Sequence, residues 1–163
     1  MKLKKHLVSG LVSIAFFCAG GVVAFAGYDS NLFVAPKETY ESMVKTPGNY
    51  YYLAAATPNY NCLAYALGDT RQWIWPWGSS NPTLKEANDY MTSRMYNPYP
   101  YSSSASNVKI IAYGTSTSNI THFSKAEGTN YSNAKWGQLE RLQSLGWDPY
   151  TSSIYGSALQ VYK

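Results

Sequence analysis

Three strand-like segments separated by short turns constrain the fold of this chain more than any other feature. Residues 107–113 and 120–126 contain β-branched and aromatic residues, and a Gly-Thr-Ser region joins them. A turn at 127–130 then leads into a third strand at 131–136. Because short turns join neighbouring antiparallel strands, this stretch predicts an antiparallel sheet.

Helix signals precede these strands. Residues 36–44 begin with a proline and carry acidic residues early, as helix starts often do. Residues 61–68 favour a short helix that Asn59 or Asn61 can cap and that Gly68 ends. We expect Cys62 in its first turn.

The clearest helix begins with the capping-box pair Thr83 and Glu86 and ends near Tyr96. One face of this helix is predicted to carry Leu84, Ala87, Met91 and Met95.

The remaining segments give weaker signals. Residues 49–56 fit a strand or a helix, 99–104 resemble a loop, and 138–145 predict a short helix that ends at Gly146. The C-terminal stretch is irregular, with room for a final strand. Helices followed by a small antiparallel sheet predict an α+β fold.

The first 26 residues have the pattern of a secretory signal peptide. A lysine-rich start precedes an apolar run, and Ala24-Phe25-Ala26 is a small-x-small cleavage site. A membrane anchor is the alternative, which serine and glycine residues in the run disfavour. We therefore expect residues 27–163 to form one secreted domain, extracellular or associated with the cell wall.

The charge and composition of that domain indicate which classes of partner it binds. Without the three leader lysines, 10 basic residues face 9 acidic ones, so the expected mature charge is about +1. No basic stripe indicates nucleic acid, and no second apolar segment indicates a membrane. Sixteen Tyr and five Trp indicate a packed core, and we expect a monomer.

Removing the leader leaves one cysteine, Cys62, and one histidine, His122. Thiol catalysis needs an imidazole as base, and a helix start helps to stabilise the thiolate. We predict that Cys62 is the nucleophile and His122 the base. Asn133, across a hairpin, is the candidate that orients the ring, and Lys135 or Ser132 is the alternative.

Further residues are candidates for substrate contact. The oxyanion would bind the Cys62 backbone N–H and the amide of Asn61 or Asn59. The aromatic stretch 72–78 fits either core packing or one wall of a groove. Its candidate substrate-binding residues are Trp73, Trp75 and Trp77, together with Asn61.

The order Asn61-Cys62, Thr121-His122 and a later polar residue resembles papain-like cell-wall amidases and endopeptidases of the NlpC and CHAP type. The resemblance implies a papain-like fold and hydrolysis of a peptide or isopeptide amide, with a peptide or cell-wall substrate. The stretches Tyr-Asn-Cys-Leu-Ala-Tyr-Ala-Leu-Gly, Trp-x-Trp-Pro-Trp, Thr-His-Phe-Ser-Lys and Ala-Lys-Trp-Gly also resemble small secreted bacterial proteins of unassigned function.

Other readings of the same residues stay open. Cys62 can be a buried structural thiol and His122 a core histidine, in a secreted binding module that uses the tryptophans. One cysteine and one histidine fall short of a zinc site, and we expect no metal or cofactor. No pair of carboxylates stands out for glycoside hydrolysis.

Overall fold

The computed structural model of the protein describes residues 25–151 and 153–163. Three helices lie in this part: α1 Lys37–Met43, α2 Cys62–Ala66 and α3 Leu84–Ser93. Its eight strands are β1 Phe25–Ala26, β2 Tyr51–Ala54, β3 Pro98–Pro100, β4 Ile110–Ser116, β5 Asn119–Glu127, β6 Tyr131–Lys135, β7 Arg141–Leu145 and β8 Ser157–Tyr162. The predicted signal peptide lies outside the described residues, apart from its last two, which form β1.

The described strands form one antiparallel sheet in the order β1-β2-β7-β6-β5-β4-β8-β3. The predicted succession of three antiparallel strands is confirmed in β4, β5 and β6. The molecule is a mixed α+β fold dominated by its sheet, which is larger than the small sheet expected from the sequence. Within the described residues, no helix combines the length and apolar character needed to cross a membrane.

The two faces of the sheet are covered differently. On the helix face, α2 and α3 pack through Leu63, Ala66, Ala87 and Met91 against strand residues such as Ile110 and Phe123. On the aromatic face, residues 33–50, 147–151 and 153–155 cover the strands. Its core is rich in rings, among them Phe33, Tyr40, Tyr50, Tyr113, Trp136, Trp147 and Tyr150. Because successive strand residues face opposite sides, neighbouring residues of β5 belong to different cores.

The helix predicted at 138–145 is wrong, because this segment contains strand β7. Leu142 and Ser144 are buried on one side of the strand, whereas Arg141 and Gln143 are partly exposed on the other. Pairing with β2 and β6 therefore overrides the helix propensity of Gln, Leu, Glu and Arg. Gly146, read as a helix end, instead adopts a positive φ of 86° after the strand.

The helix starting signals were more reliable than the helix ends. Thr83 and Glu86 make the predicted capping box, but α3 stops at Ser93, before Tyr96. Met95 adopts a positive φ and is 89% exposed, so its assignment to the buried face is wrong. Residues 98–100, predicted within or beside a loop, form the edge strand β3, where proline is tolerated because one side of the strand is unpaired.

Candidate functional site

Cys62 occupies the first position of α2. The Asn61 side-chain oxygen accepts a hydrogen bond from Ala64 N at 3.0 Å and caps the helix as predicted. Gly68 follows the helix with a φ of +87°, which suits the expected end. The cap fixes the first turn, and the backbone amides of Cys62 and Leu63 lie close enough to the sulfur to offset part of the rise in thiol pKa that burial causes.

Asn61 also joins this helix to the tryptophan stretch. Its side-chain nitrogen donates to Ile74 O at 2.7 Å, and its oxygen accepts from Ile74 N at 3.3 Å. Asn61 is 2% exposed. The side chain predicted to contact substrate is therefore engaged in holding the cysteine helix and the 72–78 segment together.

His122 lies in β5, on the aromatic face. Its ring stacks on Tyr155, with centroids 3.9 Å apart and an angle of 16°, and meets Tyr150 edge-on at 5.1 Å. Both ring nitrogens are buried, and neither has a hydrogen-bond partner among the described residues. Packing against rings, without a carboxylate or amide acceptor, holds the imidazole in place.

Cys62 and His122 line the same cavity, although Cys62 lies on the helix face of the sheet and His122 on the aromatic face. Pairing between β5 and β6 extends only as far as Lys125 and Asn133, so β5 is free of β6 around His122. Helix α2 packs against both β5 and β6. The resulting cavity, of about 310 Å³, is lined by Cys62 and His122 and by Asn61, Thr121, Tyr155, Trp73, Trp75, Gly78, Ser79 and Gly137.

Asn133 does not belong to this cavity. It pairs with Lys125, so the predicted register, which set it opposite His122, is wrong. Its side-chain oxygen accepts from Gln143 at 3.0 Å, and it lies near the Tyr65 hydroxyl on the helix face. Hence Asn133 and His122 are on different faces of the sheet.

The alternatives to Asn133 also have other partners. Ser132 is buried on the His122 side of the sheet, but its hydroxyl donates to Gly146 O at 2.9 Å. Lys135 donates to Gly137 O at 2.7 Å and to Leu139 O. Neither side chain is the partner of a His122 nitrogen.

The sequence family described as a domain of unknown function, DUF7689, matches residues 51–163. The chain belongs to this family. The match spans β2 to β8, and it includes both residues of the thiol–imidazole pair. No curated protein and no solved structure matches the chain.

In this DUF7689 domain, burial sets the protonation of both reactive groups. It raises the pKa of the Cys62 thiol to about 11, although the Phe123, Leu63 and Cys62 backbone amides oppose the rise. It lowers the pKa of His122 to about 3. At neutral pH the two groups are therefore a thiol and a neutral imidazole, and the low pKa makes His122 a weak base.

Lys135 brings a positive charge near Cys62. Burial lowers the pKa of Lys135 to about 8, while the charge of Glu140 and a Cys62 thiolate would raise it. Lys135 in turn opposes the rise in the thiol pKa. Its effect on the DUF7689 site is confined to pH values at which it is protonated.

The tryptophans of the DUF7689 domain divide into two roles. Trp73 and Trp75 line the cavity that holds Cys62, and Trp73 is 49% exposed at its mouth. Trp77 stacks on Phe123, with centroids 6.3 Å apart, and packs edge-on against Tyr90. The structure thus places two of the three predicted tryptophans at the site and the third in the helix-face core.

Tyr155 is a site residue that the sequence did not indicate, because it lies in a stretch that reads as irregular. Thr121, next to His122, donates to Tyr155 O at 2.5 Å. Gly156 has a φ of +77°, and a Cβ there would lie 2.1 Å from the Gly114 backbone. The Tyr-Gly pair was the available signal, since a required glycine marks a close backbone approach.

Within the described residues, no three His, Cys, Asp or Glu side chains come together as a metal site would need.

Proposed function

We propose that this protein is a thiol hydrolase that cleaves a peptide or isopeptide amide bond, with Cys62 as nucleophile and His122 as base. The observation that carries the proposal is the shared cavity, which Cys62 and His122 both line. A papain-like relationship is part of the proposal. Its support is a cysteine at a helix start, packed on an antiparallel sheet whose strand carries the histidine.

Both groups are neutral at pH 7, and with pKa values of about 11 and about 3 a free proton transfer from the thiol to the imidazole is unfavourable, so the proposed transfer is concerted with attack on the substrate. His122 takes the thiol proton as the sulfur bonds to the amide carbon, and the carbonyl π electrons move to oxygen. When the tetrahedral intermediate collapses, the C–N bond breaks and His122 gives its proton to the leaving amine. Water then attacks the thioester with His122 again as base, which releases a carboxylic acid and restores the thiol.

Two features assist these steps in the proposed mechanism. The Cys62 backbone N–H, at the start of α2, is assigned to the oxyanion. Stacking of Tyr155 on His122 takes the place of a third polar side chain in fixing the ring. Secretion, predicted from the N-terminal residues, would bring the enzyme to extracellular peptides or cell-wall amides.

The test is hydrolysis of a fluorogenic peptide and isopeptide panel by the purified domain. We expect Cys62→Ala and His122→Gln each to lower kcat at least about a thousandfold. Ser79→Ala, which changes another cavity residue, should stay near wild type. Mass spectrometry should detect an acyl group on Cys62, and full activity in Cys62→Ala would refute the mechanism.

A binding module is the second candidate function, and the half-exposed Trp73 at the cavity mouth favours it. In that case the domain binds a peptide or glycan without turnover, and Cys62→Ala leaves the affinity unchanged. Quenching of tryptophan fluorescence that is lost in Trp73→Ala, with no product from wild type, would support this second function over the first.

A further inference from the structure

A second and larger cavity adjoins the Cys62 site. It has a volume of about 670 Å³ and shares Trp73 and Trp75 with the catalytic cavity. We name it the arginine groove, because Arg71 and Arg94 line it together with Asp69 and Tyr90. A chain that leaves the Cys62 cavity past the two tryptophans would enter this groove.

The groove carries more positive than negative charge. Asp69 accepts from Arg71 N at 2.9 Å, from Arg71 Nε at 3.3 Å and from Gln72 at 2.7 Å, so its own hydrogen-bonding capacity is largely filled. The Arg71 guanidinium meets Asp69 only through Nε. Its terminal N–H groups therefore face solvent, and the side chain is 88% exposed.

Arg94 contributes the second guanidinium. It lies over the Tyr90 ring, 5.0 Å from the centroid, and it has no carboxylate partner in the described part of the chain. The ring contact is compatible with further hydrogen bonds, because a guanidinium can stack on its face while its edge donates. Two guanidinium groups thus face a groove that holds one carboxylate.

We propose that the arginine groove binds a carboxylate of an extended peptide substrate whose scissile amide lies at Cys62. The fork of N–H donors on arginine matches the two oxygens of a carboxylate. The indole walls of Trp73 and Trp75 would hold the chain between the two subsites. This inference rests on the proposed function for the identity of the substrate, but the affinity for a carboxylate can be measured without turnover.

The experiment uses the Cys62→Ala variant and pairs of alanine-glycine hexapeptides that differ only by Glu or Gln at one position. Calorimetry at low ionic strength should give, for at least one position, a Kd about tenfold lower for the Glu peptide. Adding Arg71→Gln and Arg94→Gln should bring this ratio to about 1. Adding Lys85→Gln should leave it unchanged, because Lys85 is an exposed cation of α3 paired with Asp89 and is not a groove residue.

The outcomes separate this proposal from the proposed function. Equal affinities at every position up to millimolar concentration, or a Glu preference that survives both arginine substitutions, would overturn the carboxylate subsite. A preference that needs the arginines, in a wild-type protein that hydrolyses no peptide, would support the subsite and reject the hydrolase. Hydrolysis without any preference would do the reverse.

Discussion

The two faces of the sheet differ in the surroundings of their buried polar groups. On the helix face, cations lie over tyrosine rings: Lys125 and Arg141 over Tyr65, at 4.8 and 5.2 Å, and Lys135 over Tyr60, at 5.5 Å. On the aromatic face, several polar atoms are buried without a hydrogen-bond partner among the described residues. They are both nitrogens of His122, the indole nitrogens of Trp136 and Trp147, Ser144 Oγ and Tyr150 OH; on the helix face, Arg141 Nε is also buried without such a partner.

This difference between the faces bears on the pKa values of Cys62 and His122. Cys62 comes from the helix side, where a nearby cation stabilises the thiolate. His122 comes from the aromatic face, where burial keeps it neutral. Burial thus raises the thiol pKa and lowers the imidazole pKa, and only at Cys62 does a nearby charge, that of Lys135, oppose the effect of burial. Substitutions on each face test this difference.

Acid should destabilise the fold through His122. Its folded pKa is about 3, below the ordinary value of 6.5, so the unfolded chain binds more protons between these values. The stability contribution is present above pH 6.5 and is lost as the pH falls toward 3, by as much as about 5 kcal/mol. Chemical denaturation at several pH values measures it.

His122→Phe is the matched variant, because it keeps a ring against Tyr155 and removes the titration. Subtracting its stability curve removes the contribution of carboxylates that titrate in the same range. A variant as acid-sensitive as wild type between pH 6.5 and 5 would show that the imidazole is solvated and that the aromatic face does not keep it neutral.

The stacked tyrosine should matter for catalysis through its ring and not its hydroxyl. In the proposed hydrolase, Tyr155→Leu should lower kcat about hundredfold, because the imidazole is no longer held. Tyr155→Phe should stay within about threefold of wild type.

A pH profile distinguishes this positioning role from general damage to the fold. With Leu at 155, water should reach the ring, and the acid limb of kcat should move from near pH 3 toward 6.5. Equal losses in the Leu and Phe variants, with unchanged pH profiles, would assign the effect to the hydroxyl or to packing.

The sequence predicted the parts of this arrangement that depend on local chemistry. Asn61 before Cys62 and the pair Thr83 and Glu86 are side-chain caps within one turn, and each predicted cap is present. Strand β5 was recognisable because its alternation is a property of a few neighbouring residues. Such signals need no knowledge of the tertiary structure.

The parts that failed depend on long-range pairing. β7 has a helix-compatible composition and becomes a strand between β2 and β6. Asn133 does not lie opposite His122, because the register of two paired strands depends on the length of the hairpin turn. A shift by an odd number of residues moves a side chain to the other face of the sheet. Tyr155 is 33 residues from His122 in the chain, so only the fold brings the rings together.

On the helix face, Lys135 should accelerate the thiol only while it is charged. Its pKa is about 8, so at pH 7 its charge increases the thiolate fraction of Cys62. We expect Lys135→Met to slow iodoacetamide alkylation about threefold at pH 7 and to have no effect at pH 9.5.

The pH dependence serves as an internal control, since distortion of the 137–139 loop would slow alkylation equally at both pH values. Lys125→Met is the external control, because this cation lies over Tyr65 and is not among the groups that shift the thiol pKa. Slowing by Lys125→Met to the same degree would mean that the overall charge of the helix face, and not Lys135, acts on the thiol.

The smallest effect is expected for Asn133, which belongs wholly to the helix face. Asn133→Ala removes a hydrogen bond with Gln143 but no contact with His122, so kcat should stay within about twofold of wild type. Asn61→Ala is the informative counterpart, since it removes both the cap of α2 and the tie to Ile74 and should cost about 1 kcal/mol of stability. A large loss of kcat in Asn133→Ala, with an unchanged melting temperature, would mean that β5 and β6 shift register during turnover. Asn133 and His122 would then lie on different faces of the sheet only in the resting protein.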